Sequence, residues 1–131
     1  MNKQQLQQQI EQVYLDILIE LNIEKVDNYF APDYVQVTDH ITTDINEFKA
    51  HLEKLKAVVK SLTIETFKDM LIDEAKQTVF LRYDVIVEKK DNSIGNIEVY
   101  AVFTFNDDGK VIACNELTKE YDEQVKGLGS I

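Results

Sequence analysis

The length, composition and charge of the chain exclude several classes of protein. A chain of 131 residues with 44% hydrophobic and 29% charged residues is typical of a globular protein, long enough for one core and too short for two. A formal net charge of −10 repels phosphate backbones and anionic lipids, so we expect neither nucleic acid nor a membrane among the partners. The one cysteine, Cys114, excludes an intramolecular disulfide and a cysteine-based zinc cluster.

Three helices are predicted in the first half of the chain. Apolar residues recur at spacings of three and four from Leu6 to Leu21, which is typical of one face of an amphipathic helix. A second, short helix follows Asn22 and ends before Pro32, and a third begins at the capping-box sequence Asp44-Ile45-Asn46-Glu47. The polar start MNKQQLQQQI is unlike a signal peptide, and no apolar run is long enough to span a bilayer. We therefore expect a cytoplasmic protein.

The chain after Ser61 is rich in strand patterns. A short strand is already expected from Tyr34 to Asp39, and four longer runs predict an antiparallel meander over residues 62–72, 78–88, 95–105 and 110–121. The third run is apolar on both faces, so we expect a second copy of the chain to cover the outer face and form a homodimer. Helices followed by strands indicate an α+β fold, in one domain over residues 1–131.

Glu116 is the clearest chemical signal in the sequence. It lies in phase with Ile112 and Cys114, two apolar side chains of the last predicted strand. A carboxylate on a core face is costly unless it has a partner or a use. Glu116 is therefore either an acid or base in a pocket or one half of a structural ion pair.

The order of these elements, together with the sequences NYFAPDY (28–34), FTFN (103–106) and DGKV (108–111), resembles the nuclear transport factor 2-like superfamily. That superfamily includes the ketosteroid isomerases and the SnoaL-like polyketide cyclases, and the resemblance covers roughly residues 8 to 122. It implies a cone-shaped, curved antiparallel sheet with three N-terminal helices packed on its concave face. The open end of such a cone holds a ligand pocket.

The resemblance to the ketosteroid isomerases can be followed residue by residue. Their oxyanion-donating tyrosine on the first helix corresponds to Tyr14, which could equally be a core aromatic residue. Their general-base aspartate corresponds to Thr38, and their second oxyanion donor corresponds to Ala101. Thr38 cannot act as a base near neutral pH, and Ala101 has no proton to donate. We therefore expect steroid isomerisation to be absent.

The same alignment predicts which side chains face the pocket. From three strands it directs inward Gln36, Thr38, Ala101, Phe103, Cys114, Glu116 and Thr118. A chosen register for the second strand of the meander adds Phe80, Arg82, Asp84 and Ile86. Arg82 would then lie beside Glu116, and each would stabilise the charge of the other. If the register is shifted by one residue, Arg82 faces outward instead.

Two further residues are placed at the mouth of this pocket. Asp39 and His40 could relay protons there, or could simply form a solvated loop. No short ligand spacing joins His40 to the other histidine, His51, so we expect no metal and no other cofactor.

Three functions remain open for such a chain. The leading hypothesis is a SnoaL-like small-molecule pocket protein, a lyase or isomerase that transfers a proton next to a carbonyl. Glu116 or Asp39 would be its base and Tyr14 its oxyanion donor. The alternatives are a non-catalytic binding module for an apolar ligand and a dimeric interaction protein that uses the outer sheet face. Converging polar side chains would favour catalysis, whereas a tightly packed cavity would favour the interaction protein.

Overall fold

The computed structural model describes residues 1–128 of the chain. These residues form three α-helices, α1 (Lys3–Val13), α2 (Val26–Tyr29) and α3 (Ile45–Val58). α1 continues as a π-helical segment (Tyr14–Ile19), and short 3-10 turns lie at Ile23–Lys25 and Glu123–Val125. The same residues form one seven-stranded sheet: β1 (Phe30–Thr38), β2 (Ile41–Asp44), β3 (Val59–Thr63), β4 (Phe67–Asp73), β5 (Thr78–Lys89), β6 (Ile94–Phe105) and β7 (Val111–Glu120).

The strands are ordered β2-β1-β7-β6-β5-β3, and β4 also pairs with β5. All neighbours are antiparallel except β1 and β7, which run parallel. The predicted α+β class is confirmed, but the sheet is mixed rather than wholly antiparallel, and the strands differ in two further ways. The predicted run 62–72 is divided between β3 and β4, which pair with different parts of β5. The short β2, which was not predicted, continues the sheet beyond β1.

Two helices begin with reciprocal side-chain caps. In the first, the Asn2 side chain accepts from the amide of Gln5, and the Gln5 side chain accepts from the amide of Asn2, both at 2.8 Å. In the second, Asp44 and Glu47 make the same exchange at the start of α3, as the capping-box sequence predicts. None of the helices within residues 1–128 is long and apolar enough to cross a membrane.

The helices pack their apolar faces against the inner face of the sheet and enclose a hydrophobic core. From β5 the core receives alternate residues, all fully buried: Val79, Leu81, Tyr83, Val85 and Val87. The predicted register of this strand, with Phe80, Arg82, Asp84 and Ile86 inside, is therefore wrong by one residue. The reason is energetic, since the observed register buries five side chains without a charge and the other would bury two ions.

The charged residues of β5 instead make ion pairs on the outer face. The Arg82 Nε lies 2.6 Å from Oδ2 of Asp69, and the Arg82 guanidinium also approaches Glu98 at 3.6 Å. Asp84 lies 2.6 Å from the Nζ of Lys68. Neither Arg82 nor Asp84 lies in the interior, so the predicted pair of Arg82 with Glu116 does not exist.

A bulge where β6 meets β7 decides which side chains of β7 point inward. Phe105 pairs with Val111 and Thr104 with Ala113, so one residue of β7 is skipped. Val111 is consequently buried on one side of the bulge and Cys114 on the other, while Ile112 is only partly buried. Glu116 shares the inner face with Cys114 as predicted, but not with Ile112.

Candidate functional site

Glu116 lies in the interior of the molecule, on the middle of the sheet. It is 4% exposed and stands between Thr38 of β1 and Ala101 of β6. The Thr38 hydroxyl donates to Oε1 of Glu116 at 2.7 Å, and the Gln36 amide nitrogen approaches the same oxygen at 3.4 Å. The Cys114 sulfur is 4.0 Å from Oε2. Within residues 1–128, none of the groups in contact with Glu116 is a cation.

The environment of Glu116 keeps its proton on at neutral pH. Burial away from water raises its pKa from 4.5 to about 8. The hydrogen bond from Thr38 opposes this shift, and the negative charge of Asp39 adds to it. At pH 7 the group is therefore a neutral carboxylic acid, which can donate one hydrogen bond as well as accept.

A chain of buried hydrogen bonds leads from Tyr34 to Glu116. The Tyr34 hydroxyl donates to Oε1 of Gln36 at 2.7 Å, and the Gln36 nitrogen donates to the Thr38 hydroxyl at 3.0 Å. Tyr34, Gln36 and Thr38 all lie on the inner face of β1, where alternate positions point to the same side. Polar groups that converge in this way orient one another in a dry interior.

Two phenols lie on the other side of this cluster. The hydroxyls of Tyr14, at the start of the π-helical segment, and Tyr83, on β5, are 2.9 Å apart. Their rings pack edge to face at 5.1 Å, and Phe67 and Phe103 pack against Tyr14 at 5.2 and 5.8 Å. Burial raises the pKa of both phenols well above the usual value, and Coulombic repulsion from Glu116 raises each further. Both are therefore hydrogen-bond donors at every physiological pH.

The space inside the cone is small. A cavity of about 20 Å³ lies next to this cluster, enough for about one water molecule. It is lined by apolar residues of the helices and by four residues of the polar and aromatic cluster, Tyr14, Tyr34, Gln36 and Phe103. The inside of the cone is thus closely packed around its buried acid.

A larger cleft opens at the end of the sheet. Its volume is about 190 Å³, and it is lined by Thr38, Asp39, Ile41, Thr43, Thr118, Glu120 and Gly127. The Asp39 carboxylate accepts from the Thr118 amide at 2.8 Å and from the Thr118 hydroxyl at 2.5 Å. Thr38 lines this cleft on one side and contacts Glu116 on the other.

Asp39 and His40 form the two-residue turn between β1 and β2. Both have left-handed backbone angles, φ 50° and 71°, as tight hairpin turns require. Asp39 faces the cleft, whereas His40 lines a groove on the outer face of the sheet. The structure therefore separates these two residues, which the sequence suggested as a proton relay at one pocket mouth.

The other predicted pocket residues divide between the interior and the cleft. Five of them are buried in the interior on the inner sheet face: Gln36, Thr38, Ala101, Phe103 and Cys114. Thr118 is partly exposed at the rim of the cleft. Sequence reasoning missed Tyr34, which shares its parity with Gln36 and Thr38, and Tyr83, whose alternate neighbours on β5 are all apolar. No group of three or more metal-binding side chains occurs within residues 1–128.

Neither a protein-family model nor a curated protein matches this sequence. Solved structures do. The structure of AusH from Aspergillus nidulans matches with a TM-score of 0.78 at 15% identity, over 90% of this chain and 86% of AusH. An LEH-like epoxide hydrolase from M. tuberculosis matches with 0.71 at 14%, over 88% and 84%. An NTF2-like protein of unknown function from Exiguobacterium sp. 255-15 matches with 0.64 at 14%, over 80% and 89%. The chain has the nuclear transport factor 2-like fold.

Proposed function

We propose that this protein is an acid–base enzyme of the lyase or isomerase type that acts next to a carbonyl group of a small molecule. Its proton donor and acceptor would be Glu116. The observation that carries the proposal is a fully buried carboxyl group with a pKa of about 8. A group with this pKa can give and take a proton near neutral pH, as a general acid and base must.

A purely structural role would be served better by another residue. A glutamine at position 116 would make the same contacts with Thr38 and Gln36 and would never ionise. A carboxyl group at this position lowers the stability of the fold as the pH rises, because the buried group then loses its proton. This is a disadvantage unless the proton is used in a reaction. Functional sites are where such unfavourable residues are expected.

The pair of Tyr14 and Tyr83 supplies the second element of the proposed chemistry. Each phenol has one proton, and only one of the two protons lies between the two oxygens. The other proton is available to an oxygen of a ligand, where it would stabilise negative charge that develops during proton abstraction. Because Tyr14 donates to Tyr83, the free proton is that of Tyr83, and the oxyanion-donor role that the sequence suggested for Tyr14 passes to Tyr83 in this proposal.

Of the similar structures, the M. tuberculosis protein is named an LEH-like epoxide hydrolase. At 14% identity this likeness supports the fold, and the chemistry proposed here rests on Glu116.

The proposal is tested by the titration of Glu116 and by exchange of carbon-bound protons. Carbon-13 NMR of protein labelled at the glutamate carboxyl groups should give Glu116 a pKa of about 8. Hydroxyacetone, cyclohexanone and acetylacetone in heavy water should exchange protons next to the carbonyl faster with the protein. Glu116→Gln should slow this exchange by roughly 100-fold or more. A Glu116 pKa near 4.5, or equal exchange by both proteins, would contradict the proposal.

A second candidate is the dimeric interaction protein. The observations in its favour are the packed interior and an apolar groove of about 400 Å³ on the outer sheet face. We define the outer groove by five of its lining residues, Val37, Phe80, Tyr100, Val102 and Leu117. Leu117 is 57% and Tyr100 45% exposed, although the Tyr100 ring packs against Phe80 and Arg82, so the groove presents exposed apolar surface.

A further inference from the structure

The cleft at the end of the sheet and the buried acid are separated by one side chain. Thr38 is 5% exposed, lines the cleft, and contacts Glu116 across 2.7 Å. Asp39 lies on the open side of Thr38, and Glu116 lies on the closed side. The two carboxyl groups interact electrostatically, because the negative charge of Asp39 contributes to the raised pKa of Glu116. The cleft is therefore an open space that reaches the inner side of Glu116 through one side chain.

We propose that the ligand binds in this cleft rather than in the packed interior of the cone, and that it is a small molecule carrying an amine or several hydroxyl groups. This proposal rests on the function proposed for Glu116, whose ligand and access route it specifies. A ligand in the cleft would not reach Tyr14 or Tyr83, neither of which lines it, so Glu116 alone carries the chemistry in this arrangement. The interior has room for about one water molecule, whereas the cleft offers about 190 Å³ without any movement of side chains. Drug-sized ligands occupy about 300–1,000 Å³, so the ligand is smaller than these.

The lining of the cleft defines the class of ligand. Two carboxylates, Asp39 and Glu120, face it, and none of its lining residues within 1–128 is a cation. An anionic ligand would be repelled by this lining and by the net charge of −10. The remaining polar groups are three hydroxyls whose protons are already donated within the protein and whose oxygens can accept from a ligand: Thr38, Thr43 and Thr118.

Asp39 is held in place but still has room for a ligand. Its carboxylate accepts two hydrogen bonds, both from Thr118, whereas a carboxylate can accept about four. An ammonium or hydroxyl group of a ligand can take the remaining positions, and a charge-assisted bond to Asp39 would be the strongest contact in the cleft.

Thr38 provides the route from the ligand to Glu116. The Thr38 hydroxyl donates to Glu116 in this structure, so it must first turn towards the cleft. The acid then gives its proton to the Thr38 oxygen while Thr38 gives its own hydroxyl proton to a ligand oxygen in the cleft. The net result is a protonated ligand oxygen and an ionised Glu116, and the reverse transfer restores both groups. A cation bound at Asp39 would favour this step, because it stabilises the negative charge left on Glu116.

The test uses the full chain and three probes of equal length: propylammonium, 1,2-propanediol and propionate. Backbone amide NMR should show saturable shifts at Ile41, Thr43 and Thr118 with propylammonium, weaker ones with the diol, and none with propionate. Asp39→Asn should weaken propylammonium binding at least fivefold and remove the preference for the cation. His40→Asn is the matched control, since His40 is in the same turn, has the same left-handed backbone and faces the outer groove. It should leave binding unchanged.

A second measurement distinguishes the failure of the cleft proposal from the failure of the function proposed for Glu116. Saturating propylammonium should lower the pKa of Glu116 by at least half a pH unit, measured by carboxyl NMR, and Thr38→Val should leave this electrostatic shift intact. Shifts centred on interior residues such as Tyr14 and Leu52, or equal binding of propionate, would overturn the cleft proposal while the titration of Glu116 stands. A Glu116 pKa near 4.5 with saturable binding in the cleft would instead leave a binding site and remove the proposed proton donor.

Discussion

A carboxyl group inside an apolar core is tolerated either because a cation neutralises it or because it keeps its proton. Glu116 follows the second course. Arg82, the cation that a shifted register would have brought to it, forms its ion pairs with Asp69 and Glu98 on the opposite face of the sheet. The two arrangements respond differently to pH. An ion pair is strongest when both groups are charged, whereas a buried acid without a cation stabilises the fold only while it is protonated.

The stability of the fold should therefore fall as Glu116 loses its proton. Its pKa is about 8 in the folded chain against 4.5 in the unfolded chain, so the folded state binds more protons between these values. Relative to Glu116→Gln, the stability of the wild type is greatest below pH 4.5 and is lost through about pH 8. The loss should approach about 1.4 kcal/mol per pH unit within this window. Urea unfolding of both proteins across the window measures it, and parallel curves would contradict it.

The position of Arg82 gives a second prediction at this scale. Arg82→Met and Glu116→Gln should have additive effects on stability, because the two side chains lie on opposite faces of the sheet and share no partner. A double-mutant cycle by urea unfolding at pH 7 is the measurement. A coupling well above experimental error would mean that the two groups are in contact.

At the scale of elements, strand register decided which site residues could be predicted. Glu116 was expected inside because it shares the parity of Cys114, whereas Thr38 and Gln36 were expected inside from the resemblance to the ketosteroid isomerases. The predicted register of β5 was wrong because Phe80 and Ile86 make the outer parity of this strand look apolar as well. The five uncharged residues at alternate positions from Val79 to Val87 indicate the inner face of β5 more clearly. Side-chain protonation and the depth of the cleft depend on three-dimensional packing, which periodicity does not report.

The 3-10 turn at Glu123–Val125 packs closely against β6, and Gly95 allows this approach because it has no side chain. A Cβ there would lie 2.6 Å from a methyl group of Val125, which is fully buried. Gly95→Ala should therefore destabilise the protein by about 1–3 kcal/mol through overpacking. Val125→Ala alone should destabilise by about 2 kcal/mol through a lost contact.

The double variant tests this account of Gly95. Removing the Val125 methyl groups makes room for the new Cβ, so the combined loss of stability should be smaller than the two single losses together. Thermal unfolding of the four proteins is sufficient. Strict additivity would show that Gly95 is present for another reason.

At the scale of the whole molecule, the packed interior and the outer groove raise the question of assembly. The exposed apolar side chains of Tyr100 and Leu117 motivate the prediction of a homodimer through the outer sheet face. Light scattering behind size exclusion should give twice the mass of one chain at micromolar concentration. Leu117→Lys should shift the mass to that of a monomer. Leu15→Lys is the matched control, since Leu15 is 46% exposed on the π-helical segment rather than on the sheet, and it should leave the mass unchanged. A monomeric wild type would refute the prediction.

The turn formed by Asp39 and His40 connects the two proposed binding surfaces. Successive residues of a two-residue turn share one peptide unit, so a rotation that draws Asp39 towards a ligand also moves His40 at the edge of the outer groove. If both surfaces are used, ligand binding and chain association become thermodynamically linked, and each changes the equilibrium constant of the other by the same factor. The apparent ligand affinity of this protein would then depend on its own concentration.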